Sequence, residues 1–164
     1  MAQFITSLLL ALAIVAASLA QTTTSSVSTT PSHISAQACA DLNGYQSRTT
    51  KQCFFHVNET KSFIQAELHC NTKFGGHLAS VHNGFDNLLI TDFARTDFAT
   101  IDQFYIGLNA LDGSGKYTWL DGTDVDYTNW GYNTYNTQCV VVDMKTATWV
   151  RSDCFTEAYF VCSA

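Results

Sequence analysis

Residues 104–108 read Phe104-Tyr105-Ile106-Gly107-Leu108. A short run of large side chains bounded by glycine and aspartate turns marks a strand. The same pattern recurs downstream at Tyr117-Thr118-Trp119-Leu120, Cys139 to Val142, Thr148 to Val150 and Ala158 to Cys162. Upstream the period changes. Cys53-Phe54-Phe55-His56-Val57 reads as a short buried strand, and then Phe63, Ala66, Cys70 and Phe74 recur at helical spacing. Ser62 and Gln65 form a capping-box pattern ahead of that helix, and Gly75-Gly76 ends it. A second helix is expected from Asn83, burying Phe85, Leu88, Leu89 and Phe93. Two helices followed by a series of strands make an α+β domain, and no internal repeat is visible.

The flanking sequence sets the compartment. Within residues 1–20 an apolar run from Leu8 to Ala17 is followed by Ser18-Leu19-Ala20, the small-residue pattern of a signal-peptide cleavage site. The run is shorter than the ~20 residues that span a bilayer, so no membrane insertion is expected. Residues 21–38 form a Thr/Ser-rich tract containing the chain's single proline, Pro31. Such a tract buries too little apolar surface to offset its ordering entropy. It reads either as an O-glycosylated stalk or as a plain linker. Residues 39–164 then form one domain. Charged residues make up only 13% of the 164-residue chain and the net charge is −6, without a basic stripe, which excludes nucleic acid as a partner class. The six cysteines, with no C-x-x-C pair among them, read as a disulfide framework rather than a zinc site; the count alone leaves the pairing open.

In element order, cysteines and motifs, the region from Cys39 to Cys162 resembles the C-type-lectin-like domain in its long, six-cysteine form. Phe104 to Leu108 is similar to that family's W-I-G-L core strand, with tyrosine in place of tryptophan. Tyr117 to Gly122, Tyr127-Thr128-Asn129-Trp130 and Gly75 to Val81 match further family segments in the expected order. The chain resembles small secreted invertebrate, nematode-like members, which implies epithelial or immune surfaces as the setting. The resemblance implies disulfides Cys39–Cys53, Cys70–Cys162 and Cys139–Cys154, leaving no cysteine for a covalent dimer. It also implies that Trp130 belongs to the core.

Sugar-binding members of that family hold a calcium ion with the Asn and Asp of a W-N-D motif and with an E-P-N or Q-P-D triplet in the long loop. Calcium takes six to eight oxygen ligands, many of them anionic. Here Trp149 stands at the motif's distance from Cys154, so the two ligand seats fall on Val150 and Arg151. Valine offers no oxygen, and a guanidinium repels a metal ion. The loop after Trp130, Gly131 to Gln138, holds neither proline nor acid. No calcium cofactor is expected at that site. Asp121, Asp124 and Asp126, with Asp112 nearby, are the remaining oxygen donors. They read either as a structural calcium site or as turn chemistry.

In place of the metal, the loop supplies aromatic and amide side chains, a composition that suits recognition of protein and, by ring stacking, of glycans. Tyr132, Asn133, Tyr135 and Asn136, together with Arg151, are the candidate ligand-binding residues. Asn58-Glu59-Thr60 is an N-glycosylation sequon. The five histidines form no nucleophile or metal pattern: His77 and Ser80 fall in a packing segment, and His69 adjoins a cysteine expected in a disulfide. The chain is therefore expected to be no enzyme but a secreted recognition module binding protein or glycan without calcium. The alternatives are a calcium-dependent lectin with a non-standard site and a structural matrix or coat component.

Overall fold

A computed structural model describes residues 33–98, 100, 102–132 and 136–164. The expected signal segment, most of the Thr/Ser tract, and Asn133 and Tyr135 lie outside the described residues. The elements in chain order are α1 (Ala36–Asp41), β1 (Tyr45–Gln46), β2 (Cys53–Lys61), α2 (Phe63–Phe74), β3 (His77–Leu78) and α3 (Gly84–Asp97). Then follow β4 (Gln103–Asn109), β5 (Thr118–Trp119), β6 (Cys139–Asp143), β7 (Thr148–Ser152) and β8 (Ala158–Ser163). The fold is α+β, as expected. Helix α1 was not foreseen. Ser35 caps it by accepting from the Ala38 amide at 3.2 Å, so helical structure begins at Ala36, inside the tract expected to be linker.

The strands form one sheet in the order β1-β2-β8-β4-β6-β7, with β3 on β8 and β5 on β4. All pairings are antiparallel except that of β4 with β8. Side chains alternate between the faces of a strand, and the sheet is covered on both. Phe54, Phe104 and Ile106 pack with Ile90 and Ala94 of α3 on one face. Phe55, Tyr105 and Phe160 pack with Phe63 and Ala66 of α2 on the other. Burial on both faces is why β4 reads as a continuous apolar run. Gly107 has its own reason: a Cβ there would collide with the Leu78 carbonyl, which crosses the strand.

Helix α2 follows its sequence pattern. The Ser62 amide donates to Gln65 Oε1 at 3.4 Å, Phe63, Ala66 and Cys70 are buried, and Gly75 closes the helix at φ 67°. Helix α3 departs from expectation. Phe85 and Leu88 are 53% and 54% exposed, while Asp86, Asn87, Ile90, Thr91 and Ala94 are buried. Of the expected set, Leu89 is partly buried against the core and Phe93 stacks on Tyr45 at 3.5 Å. The physical cause is polar. Asp86 accepts from Ser47 Oγ at 2.6 Å, Thr50 Oγ1 at 3.1 Å and Asn83 Nδ2 at 2.9 Å. Those bonds turn the first turn of the helix inward on its polar side.

Three disulfides are formed, Cys39–Cys53, Cys70–Cys162 and Cys139–Cys154. The first ties α1 to β2, the second ties α2 to β8, and the third ties β6 to the turn after β7.

Candidate functional site

Strand β7 organises the site. Trp149 is fully buried; its Nε1 donates to Asn87 Oδ1 at 2.7 Å, and Asn87 Nδ2 donates to the Ala147 carbonyl at 2.8 Å. Trp119, Tyr127 and Trp130 meet the Trp149 ring edge to face, at 5.5, 5.6 and 5.9 Å between centroids. The end of the long loop is strapped to the strand: the Trp149 amide donates to Asn129 O at 2.8 Å, and the Gly131 amide donates to Trp149 O at 2.9 Å. Trp130 is not core, as expected from its position, but 38% exposed. Its backbone pairs with β7, and its ring meets Trp149 and Tyr117 edge to face, at 5.9 and 5.1 Å between centroids.

Val150 is partly buried among apolar neighbours. The guanidinium carbon of Arg151 lies 5.5 Å from the Trp130 centroid and 5.6 Å from that of Tyr117. Both distances are within cation–π range. The two positions that would carry metal-binding oxygens thus hold an alkyl group packed inward and a cation seated on two rings.

Asp112, Asp121 and Asp126 have protein partners. Asp121 Oδ1 accepts from the Thr123 amide at 2.9 Å and from Thr123 Oγ1 at 2.6 Å, while Oδ2 accepts from Ser80 Oγ. Ser80 Oγ in turn accepts from buried Gln52 at 2.8 Å. Asp126 Oδ1 accepts from His82 Nδ1 at 2.8 Å, and that bond holds its carboxyl below the usual range. The other ring nitrogen of His82 meets Thr123 Oγ1 at 3.2 Å. Asp124 is exposed, and Asp112 caps its own turn through the Ser114 amide at 2.9 Å. Among the described residues no three His, Cys, Asp or Glu side chains are grouped to hold a metal ion.

Of the expected ligand residues, Tyr132 projects into solvent, 93% exposed. Asn136 and Arg151 line one cavity of about 630 Å³. Its other walls were not anticipated: Ile64 at the start of α2, Leu111 after β4, and Asp153 and Phe155 after β7. No periodic pattern marks these residues, because three separate segments supply them. His77 pairs with Glu67 at 2.6 Å beside the Leu78 amide, consistent with packing.

Residues 59–164 match the sequence profile of the lectin C-type domain. The chain belongs to the C-type lectin domain family. Lymphocyte antigen 75 of Homo sapiens is 36% identical over 101 residues, which is 61% of this chain and 6% of that protein. Collectin-10 of Gallus gallus is 28% identical over 120 residues, covering 70% of this chain and 42% of the relative. The chain thus spans less than half the length of either. The crystal structure of a calcium-independent type II antifreeze protein aligns with a TM-score of 0.62 at 27% identity, covering 72% of this chain and 89% of that one.

This C-type lectin domain is of a family of ligand-binding modules rather than enzymes. Its residues do not fit the calcium ion that sugar-binding members hold. Val150 and Arg151 supply no anionic oxygen, and Asp121 and Asp126 are engaged by Thr123, Ser80 and His82. What the arrangement offers instead is an aromatic and amide surface around a fixed cation.

Proposed function

We propose that this chain is a secreted recognition module that takes a protein or glycan ligand without calcium. One observation carries the reading: Arg151 stands at a metal-ligand seat with its guanidinium group against Tyr117 and Trp130. Moving that group aside for a metal would forfeit two cation–π contacts and still leave Val150 without an oxygen. The similarity to a calcium-independent antifreeze protein supports the compatibility of this fold with calcium-free use. Three disulfides suit the oxidising compartment that the apolar leader implies. The exposed Asn58 in β2 is the expected site of an N-linked glycan, and a mass decrease on treatment with an N-glycan-removing amidase checks it.

The ligand surface expected from the sequence is the loop bearing Tyr132, Asn133, Tyr135 and Asn136, beside Arg151. A glycan array and a panel of extracellular proteins, probed in excess chelator, test the proposal. A specific signal that Tyr132→Ala with Tyr135→Ala removes, at unchanged melting temperature, supports it. Signal that appears only with calcium contradicts it. Broad self-association on a sizing column with no ligand assigns the chain to a structural role instead.

A further inference from the structure

We infer that the cavity beside Phe155 receives an apolar side chain from a neutral or basic polypeptide, with Phe155 as the main anchor. The inference rests on the calcium-free recognition reading and narrows its ligand class. A single exposed apolar residue is ordinary on a protein surface. Phe155 differs because it is 88% exposed while the turn that carries it is held by several bonds. Cys154 is bonded to Cys139, and the Cys154 carbonyl accepts from the Phe63 amide at 3.0 Å. Tyr105, reaching through from β4, donates its hydroxyl to the carbonyls of Asp153 at 2.8 Å and Thr156 at 2.7 Å. The Phe155 amide itself donates to Asp153 Oδ1 at 2.9 Å. A rigid turn presenting a bare ring has little ordering entropy left to lose on binding, which is the character of an interface hot spot.

The surroundings name the ligand class. Ile64 and Leu111, both exposed, rim the same cavity, and Leu68 extends the apolar track one turn further along α2. Of the exposed rim groups Phe155 could stack on a saccharide, but Ile64, Leu68 and Leu111 could not, whereas all four can pack on an apolar side chain. The two charges on the cavity wall, Arg151 and Asp153, are of opposite sign, so a uniformly charged polymer or an anionic membrane gains nothing net. An apolar track running from a helix face into a pocket with an amide side chain, Asn136, fits an extended peptide carrying one large apolar residue. The chain's net charge of −6 disfavours an acidic segment and attracts a basic one.

The test pans a random-peptide display library on the full chain in excess chelator and remeasures synthetic peptides of the enriched sequences. The expected result is a family of neutral or basic peptides sharing one large apolar position. Phe155→Ser and Ile64→Ser should each weaken them at least about tenfold, the loss of a hot-spot contact. Phe85→Ser, on the exposed face of α3, should leave them unchanged, and the melting temperatures should agree. Absence of enrichment, or peptides that bind Phe155→Ser as tightly as the unmodified chain, overturns the inference. A saccharide captured in chelator and lost in Phe155→Ser overturns the peptide assignment but leaves calcium-free recognition standing. Binding that requires calcium contradicts the broader reading instead.

Discussion

At Arg151 and Trp149 neighbouring residues of one strand serve opposite needs. Trp149 is buried with its single donor satisfied by Asn87, and Asn87 is satisfied in turn by Ala147. Trp149→Phe would leave Asn87 Oδ1 buried without its donor, at a cost of about 1–3 kcal/mol. Urea denaturation should show that loss as a lower midpoint at an unchanged slope. Arg151→Met keeps the stem and removes the charge from beside Tyr117 and Trp130. Each cation–π contact is worth about 0.5–1 kcal/mol at a part-exposed site, so a loss of that size or twice it is expected. The identity of both residues was legible from their distance to Cys154. The seating of Arg151 was not, because it depends on Tyr117 and Trp130, which the chain brings back from other segments.

Among the elements, α3 shows where pattern reading stops. Phe85 and Leu88, large apolar residues expected inside, face solvent. The buried face instead includes Asp86 and Asn87, whose partners lie in residues 47–50 and at Trp149. Local sequence holds no trace of those non-local bonds. Leu88→Ser should therefore change stability by no more than about 0.5 kcal/mol, whereas Ile90→Ala should cost about 2–5 kcal/mol. Helix α2 was legible because the period of Phe63, Ala66 and Cys70 coincides with its buried face, and β4, β6 and β8 because burial on both faces makes each a continuous apolar run.

Strand β2 adds a pH dependence. His56 Nε2 meets the Ile90 carbonyl at 2.8 Å, and its Nδ1 lies 3.8 Å from Asp97, whose carboxylate also accepts from Tyr45. Burial pushes the His56 pKa down, and the Ile90 and Asp97 contacts oppose that shift without cancelling it. A folded pKa below the unfolded value of about 6.5 means that the unfolded chain binds more protons below that pH. The contribution is whole above about 6.5 and declines as pH falls toward the folded value. His56→Gln should flatten that part of the stability–pH curve, as read from urea midpoints between neutral and mildly acidic pH.

Across the whole molecule, the Cys70–Cys162 bridge closes a loop of 92 residues and ties α2 to the last strand. A chain-entropy account assigns such a loop about 4–5 kcal/mol, a large share of the ~5–15 kcal/mol typical of a domain. Replacing both cysteines by alanine should lower stability by roughly that amount. The pairing and the fold class were visible in the sequence through the resemblance of ordered motifs. The cavity at Phe155 was hidden, since its walls come from the start of α2, the turn after β4 and the turn after β7.

Thermal unfolding and ligand capture measured side by side, in excess chelator and in about 10 mM calcium, above the range of weak extracellular sites, bear most directly on the site. The melting temperature and the binding curve should be the same in both. A calcium-induced rise in melting temperature together with saccharide capture that begins only when the metal is added would contradict the account.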